Sequence, residues 1–221
     1  MKAANRTTDF LMVLLMPILM AYSLVGETFH EIAGTVMLAL FLLHHALHSK
    51  WRKAVMKGKY TPYRICQTSL NAILAVLMLL HPLSGIAISK HLYAFLPLTG
   101  IAAQARSVHM AAAYWCYVLM SFHLGLHTDM AVRGLNRKIK AGQPLKRIAG
   151  LAVWSVSLYG VFAFVQRGLP GYMFMRTLFA FFDYNEPRFS FFADYLAIMA
   201  LFAVCGYYAG RILKYKKRKE R

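Results

Sequence analysis

The sequence predicts an all-α integral membrane protein of six transmembrane helices, and three observations lead to that class. Apolar stretches of roughly 18 to 22 residues recur along nearly the whole chain, the length needed to cross a hydrocarbon core of about 30 Å. The composition agrees: 59% of the 221 residues are hydrophobic and mean hydropathy is +0.46. Basic residues gather in a few short stretches between those runs. Finally, three histidines recur with the same spacing on two of the runs.

The first segment, near residues 9–26, follows a short basic start with Lys2 and Arg6. It has no small-x-small cleavage site, because Leu24-Val25-Gly26-Glu27 leads directly into the next run, so a retained helix is expected. The second and third segments lie near 28–48 and 65–88. His81-Pro82 and Ser84-Gly85 predict a kink or an early end in the third. The fourth, fifth and sixth lie near 107–128, 149–166 and 190–210. Between the last two, the aromatic stretch 168–187, broken by Pro170-Gly171, suits a membrane interface.

A formal charge of +18 would point to nucleic acid in a soluble protein. Its distribution points instead to topology and anionic lipid, with no nucleic-acid partner. Residues 50–64 hold Lys50, Arg52, Lys53, Lys57, Lys59 and Arg64. Residues 129–149 hold Arg133, Arg137, Lys138, Lys140, Lys146 and Arg147, and the tail is basic from Arg211 onward. The opposite side receives only Lys90, Arg106, Arg167, Arg176 and Arg188. Positive charge marks the cytoplasmic side, so both termini are expected there, which requires an even number of spans. Cys66, Cys116 and Cys205 form no Cys-x-x-Cys or Cys-x-x-Cys-His pattern, which removes covalent haem attachment, a disulfide framework and a cysteine zinc site.

The second segment carries His30, His44 and His48; the fourth carries His109, His123 and His127, each 79 residues later. Ala33/Ala112, Leu40/Leu119 and Leu47/Leu126 match at the same offset, and Gly34 pairs with the small Ala113. Segments one and two therefore read as one helical hairpin and segments three and four as its parallel duplicate. A 14-residue spacing is about four helical turns, so His30 and His44 share a face and stand roughly 21 Å apart along the axis. Two parallel helices carrying this pattern can present imidazole pairs at two depths, and each pair supplies both axial positions of a haem iron. The expectation is two haem b groups, one held by His30 and His109 and the other by His44 and His123.

Periodicity alone leaves His48/His127 as a competing inner pair, since it shares the face. Depth favours His44/His123, because His48 abuts Ser49-Lys50-Trp51 and His127 abuts Thr128-Asp129 at headgroup level. There they would bond haem propionates or water. His45 has Leu124 as its counterpart and is not expected to be a ligand. Gly34 and Ala113 either permit close helix approach or make room for a porphyrin edge. Arg106, three residues before His109, is a candidate propionate partner. His81 and His91 are read as interfacial residues, with contact to a propionate or a quinone headgroup as the alternative. Ionisable groups at matched depths inside a membrane need a shared purpose, and no carboxylate accompanies these histidines at mid-membrane, which speaks against a transition-metal path.

The His-Glu-Ile-Ala-Gly run at 30–34, the His44-His45-x-x-His48 cluster, Leu83-Ser84-Gly85-Ile86 and His123-Leu-Gly-Leu-His127 resemble the flavinylation-associated cytochromes. These are small bacterial membrane proteins once known only as a domain of unknown function. The resemblance covers roughly residues 8–130 and extends to the four-helix diheme cytochrome b subunits of hydrogenases and formate dehydrogenases. It implies bis-histidine b haems with His30, His44, His109 and His123 as ligands, in a bacterial cytoplasmic membrane. It also implies electron exchange between membrane quinone and an extracytoplasmic flavoprotein or other redox partner.

The expected organisation is thus a four-helix haem-binding bundle over 1–130. Residues 131–221 would supply a cytoplasmic loop, two further transmembrane helices and the basic tail. The expected function is transmembrane electron transfer as a subunit of a quinone oxidoreductase. A histidine-lined transition-metal transporter would instead show metal flux without haem absorbance. A non-redox membrane anchor would tolerate apolar residues at positions 30 and 109.

Overall fold

The computed structural model describes residues 2–55, 57–139, 142–177, 183 and 185–219. Among them helix is the dominant structure, joined by turns and short connections, with no strand. The helices are α1 (Lys2–Met20), α2 (Tyr22–Val25), α3 (Glu27–Leu47), α4 (Ser49–Val55), α5 (Pro62–Ala87), α6 (Ala102–Ile139), α7 (Gln143–Gln166), α8 (Leu169–Met173) and α9 (Arg188–Lys219). The expected apolar segments fall on α1–α2, α3, α5, α6, α7 and α9. Lys140, Arg221 and residues 178–182 and 184 of the aromatic stretch lie outside the described residues.

Among the described residues four helices are long and apolar enough to cross a membrane: Glu27–Leu47, Pro62–Ala87, Gln143–Gln166 and Arg188–Lys214. The other two expected spans are diluted by polar residues. In α1 these are Asn5, Arg6 and Asp9; in α6 they include Gln104, Arg106 and the three histidines. The residues that suggest chemistry are therefore the same ones that lower the hydropathy of their helix.

Local sequence explains the breaks. Gly26 takes φ +87° between α2 and α3, a conformation open to glycine at little cost. Glu27 then places a negative charge at the positive end of α3. Pro144 sits in the first turn of α7 after an extended Gly142, where a missing N–H costs nothing. Pro82 does not end α5, which continues to Ala87. Neighbouring groups in a membrane bundle can satisfy the carbonyl that such a proline leaves without its helical partner.

By internal contacts the chain forms two compact units. One comprises Met1–Lys59, Ala75–Cys116 and Gly171–Phe192. In it α1 packs against α3, and both helices bury residues four apart: Thr8, Met12 and Met16 on one, Ala33, Met37 and Phe41 on the other. Those i, i+4 rows are the ridges that helix packing interlocks. The connection after α5 is tied down by the Glu31 carboxylate. It accepts from Ser89 Oγ at 2.7 Å and from the backbone N–H groups of Lys90 at 2.8 Å and Leu92 at 2.7 Å. Trp115 Nε1 donates to the Met173 carbonyl, and Tyr114 stacks on Tyr172, which seats the start of the aromatic stretch on α6.

The other unit comprises Tyr60–Leu74, Tyr117–Pro170 and Ala193–Arg221. Its apolar centre is Leu70, Leu74 and Leu126, with Tyr63, Cys66, Leu119, Met120 and Phe122 packed around them. Here α6 and α9 run parallel: Tyr117 donates to the Tyr195 carbonyl, Phe122 meets Gly206, and Leu126 meets Gly210. The approach is close enough that a Cβ on Gly125 would clash with the Ala203 carbonyl and one on Gly206 with the Phe122 carbonyl. Small residues at such crossings let helices pack without a water-driven hydrophobic force. α7 buries only Ser157, Gly160 and Ala163, spaced three apart. The rest of α7, including Leu151, Leu158, Phe162 and Val165, is exposed apolar surface, as suits a helix facing lipid.

Candidate functional site: two histidine clusters

His30 in the first turn of α3 and His109 in the second turn of α6 come together, their ring centres 6.2 Å apart at an interplanar angle of 72°. Two metal–imidazole bonds of about 2 Å end to end, plus about 1 Å from each nitrogen to its ring centre, give roughly 6 Å. His81 on α5 completes the cluster, with its ring centre 4.2 Å from that of His109. The sequence reads His81 as interfacial, with contact to a propionate or quinone as the alternative; the structure sets its ring against His109. Its signal was present in the chain, one residue before a proline that frees backbone polarity and four before Gly85.

The backbone of α5 sets the state of His109. His109 Nδ1 lies 2.9 Å from the His81 carbonyl, which can only accept, so Nδ1 carries the proton and Nε2 the lone pair. Ser84 Oγ also donates to that carbonyl at 2.8 Å. Gly85 leaves the space that the His109 ring fills, since a Cβ there would lie 3.0 Å from Cε1 and 3.2 Å from Nδ1. A histidine whose second nitrogen is fixed by a carbonyl is the usual arrangement of a metal ligand. His30 Nδ1 and His81 Nε2 are buried and have no hydrogen-bond partner. Burying such a nitrogen unpaired costs about 1–3 kcal/mol; a haem iron has two axial positions, which two of the three imidazoles could fill while the third stands beside them. The residues present therefore fit a bis-histidine haem.

The second cluster lies at the other end of α3. His44 Nδ1 donates to Asp9 Oδ1 at 2.8 Å, and His48 stacks on His44 with ring centres 4.3 Å apart. His48 and His45 each donate Nδ1–H to the carbonyl four residues earlier, at His44 and Phe41. One ligand atom from each of Asp9, His44 and His48 lies within 4.8 Å of the others. Asp9 thus brings a carboxylate to the His44 end of α3 that the sequence did not associate with these histidines. It was missed because a lone Asp near the polar start of α1 looks like a residue at the water boundary.

In the other unit, His123 and His127 have ring centres 4.7 Å apart, and the Gln67 amide donates to His127 Nε2 at 3.2 Å. His44 and His123 belong to different units, and the sequence repeat is what associates them. Gly34 is half-buried, and a Cβ built on it would meet nothing within 4 Å, so no neighbouring helix makes close contact there. Ala113 is half-buried and Arg106 exposed. His91 is exposed and reaches Glu27 at 3.5 Å, beside the Lys90–Glu27 pair at 2.7 Å. Comparison with protein-family models, with curated proteins and with solved structures finds no match to this chain.

Proposed function

We propose that this protein is a bis-histidine diheme cytochrome b with six membrane spans, carrying electrons between membrane quinone and an extracytoplasmic redox partner. The observation that carries the reading is the His30–His109 approach, with His109 fixed by the His81 carbonyl. His30 and His109 would hold one haem; His44 and His123 would hold the other, on the strength of the repeat. Gln67 favours this inner pair over His48/His127, because its amide engages the Nε2 lone pair of His127. When bound, the haems supply one-electron chemistry; the chain supplies axial nitrogens, burial and control of potential. The motif resemblance to flavinylation-associated cytochromes supports a flavoprotein as the partner.

A second reading is favoured at one place. The proximity of Asp9, His44 and His48 is also suited to a divalent transition metal, which takes imidazole and carboxylate ligands together. Single His→Ala variants separate the readings by visible spectroscopy. Under the diheme reading, His30→Ala and His109→Ala abolish the same haem. His44→Ala abolishes the other, and His48→Ala keeps both. Variants that all retain full absorbance, or a wild type with none, would overturn it.

A further inference from the structure

The two histidine clusters differ in what holds the nitrogen opposite the one that would ligate a metal. The His109 Nδ1–H is given to a neutral backbone carbonyl, that of His81. The His44 Nδ1–H is given to a carboxylate, that of Asp9, at 2.8 Å. Asp9 comes from the neighbouring helix α1, with Thr8 buried beside it, so the contact joins the two helices of the first hairpin. In the second hairpin α5, which takes the place of α1, contains no Asp or Glu. Its counterpart contact is the neutral Gln67 amide against His127.

A carboxylate on Nδ1–H pulls the proton away from the ring and raises the electron density at Nε2, making the imidazole a stronger donor. It also places a negative charge near the iron that Nε2 would ligate. Both effects favour the ferric over the ferrous state, and second-sphere hydrogen bonding of this kind is one of the levers on haem potential. Asp9 is half-buried, with 46% of its side chain exposed, and His44 is 27% exposed. Solvent weakens the charge effect but leaves the hydrogen bond.

We propose that Asp9 is a positioning residue that fixes His44 in the Nδ1-protonated form and sets the His44-ligated haem at the lower potential of the two. The proposal rests on the diheme reading and adds to it a built-in asymmetry between the sites. His48 stacks on the same ring, with ring centres 4.3 Å apart.

The test is an optical redox titration of the purified full chain in detergent, comparing wild type with Asp9→Asn, Asp9→Glu and Asp9→Ala. Asp9→Asn keeps an acceptor for Nδ1–H and removes the charge. The lower-potential component should rise by about tenfold in ferrous-to-ferric ratio, or 59 mV for one electron, with both haems retained and the upper component unmoved. Asp9→Glu should return the potential towards wild type. Loss in Asp9→Ala of the haem that His44→Ala also loses supports the proposal as well. Two haems whose potentials ignore all three substitutions overturn it and leave the diheme reading standing. So does movement of the component that His30→Ala abolishes. Stoichiometric zinc or copper in place of the second haem, lost in Asp9→Ala, also overturns it. A wild type without haem overturns both.

Discussion

Replacing Gly85 by alanine separates site from fold with one methyl group. The new Cβ would stand 3.0 Å from His109 Cε1 and 3.2 Å from Nδ1, whereas carbon atoms rest about 3.5–4.0 Å apart. The ring must therefore retreat by about 0.5 Å. That retreat stretches the 2.9 Å bond to the His81 carbonyl to about 3.4 Å, beyond the 2.7–3.2 Å useful range. The loss is about 0.5–1.5 kcal/mol, and weakening such an outer contact lowers metal affinity by roughly 10- to 100-fold. The helix itself responds in the opposite direction, since alanine favours a helix over glycine by about 0.8–1.0 kcal/mol. The two terms nearly cancel, so the expected result is a protein whose haem-free form unfolds in detergent close to the temperature of haem-free wild type and which loses occupancy of the His30/His109 haem. Haem-to-protein ratio and thermal unfolding of the haem-free form report the two effects separately. A variant with full haem content and an unchanged potential for that component would refute the reasoning.

Other parts of the structure give distinct expectations. Asp194 accepts from Arg167 Nε and from Tyr159 while only 6% exposed, so Asp194→Ala should destabilise by about 3–5 kcal/mol, seen as a lower midpoint in detergent. Combining Arg167→Met with Asp194→Leu should recover most of that loss, because a buried pair often exchanges for apolar packing at little cost. Gly206→Val drives a side chain into the Phe122 carbonyl and should cost at least about 1–3 kcal/mol of overpacking, with reduced yield of folded protein. Gly34→Phe meets no protein atom in its first bond; it should leave unfolding unchanged and lower haem content if the porphyrin edge lies there. Glu31→Ala removes the acceptor of the Lys90 and Leu92 amides and should speed their hydrogen exchange by at least tenfold while α3 exchange stays slow.

Much of the architecture was legible because membrane helices announce themselves by length and apolarity. α3, α5, α7 and α9 each meet that criterion. α1 and α6 do not, although both were expected from their apolar runs, because polar residues and histidines lower their hydropathy. The His30–His109 approach was readable from the 79-residue offset because helical period and rise turn spacing into depth. What stayed hidden depends on partners supplied by other helices. Asp9 reaches His44 from 35 residues away, and His81 joins His109 through a proline-perturbed turn of α5 that carries no repeat. The close α6–α9 crossing was likewise invisible, since Gly125 and Gly206 show their role only once a backbone lies against each.

The most direct measurement is the haem content of the purified chain: a reduced-minus-oxidised spectrum with pyridine haemochrome quantitation against protein mass. Two b haems per chain, with one lost in His109→Ala, is the predicted result. A colourless protein from cells supplied with haem, with intact helical content, would contradict the account at its centre.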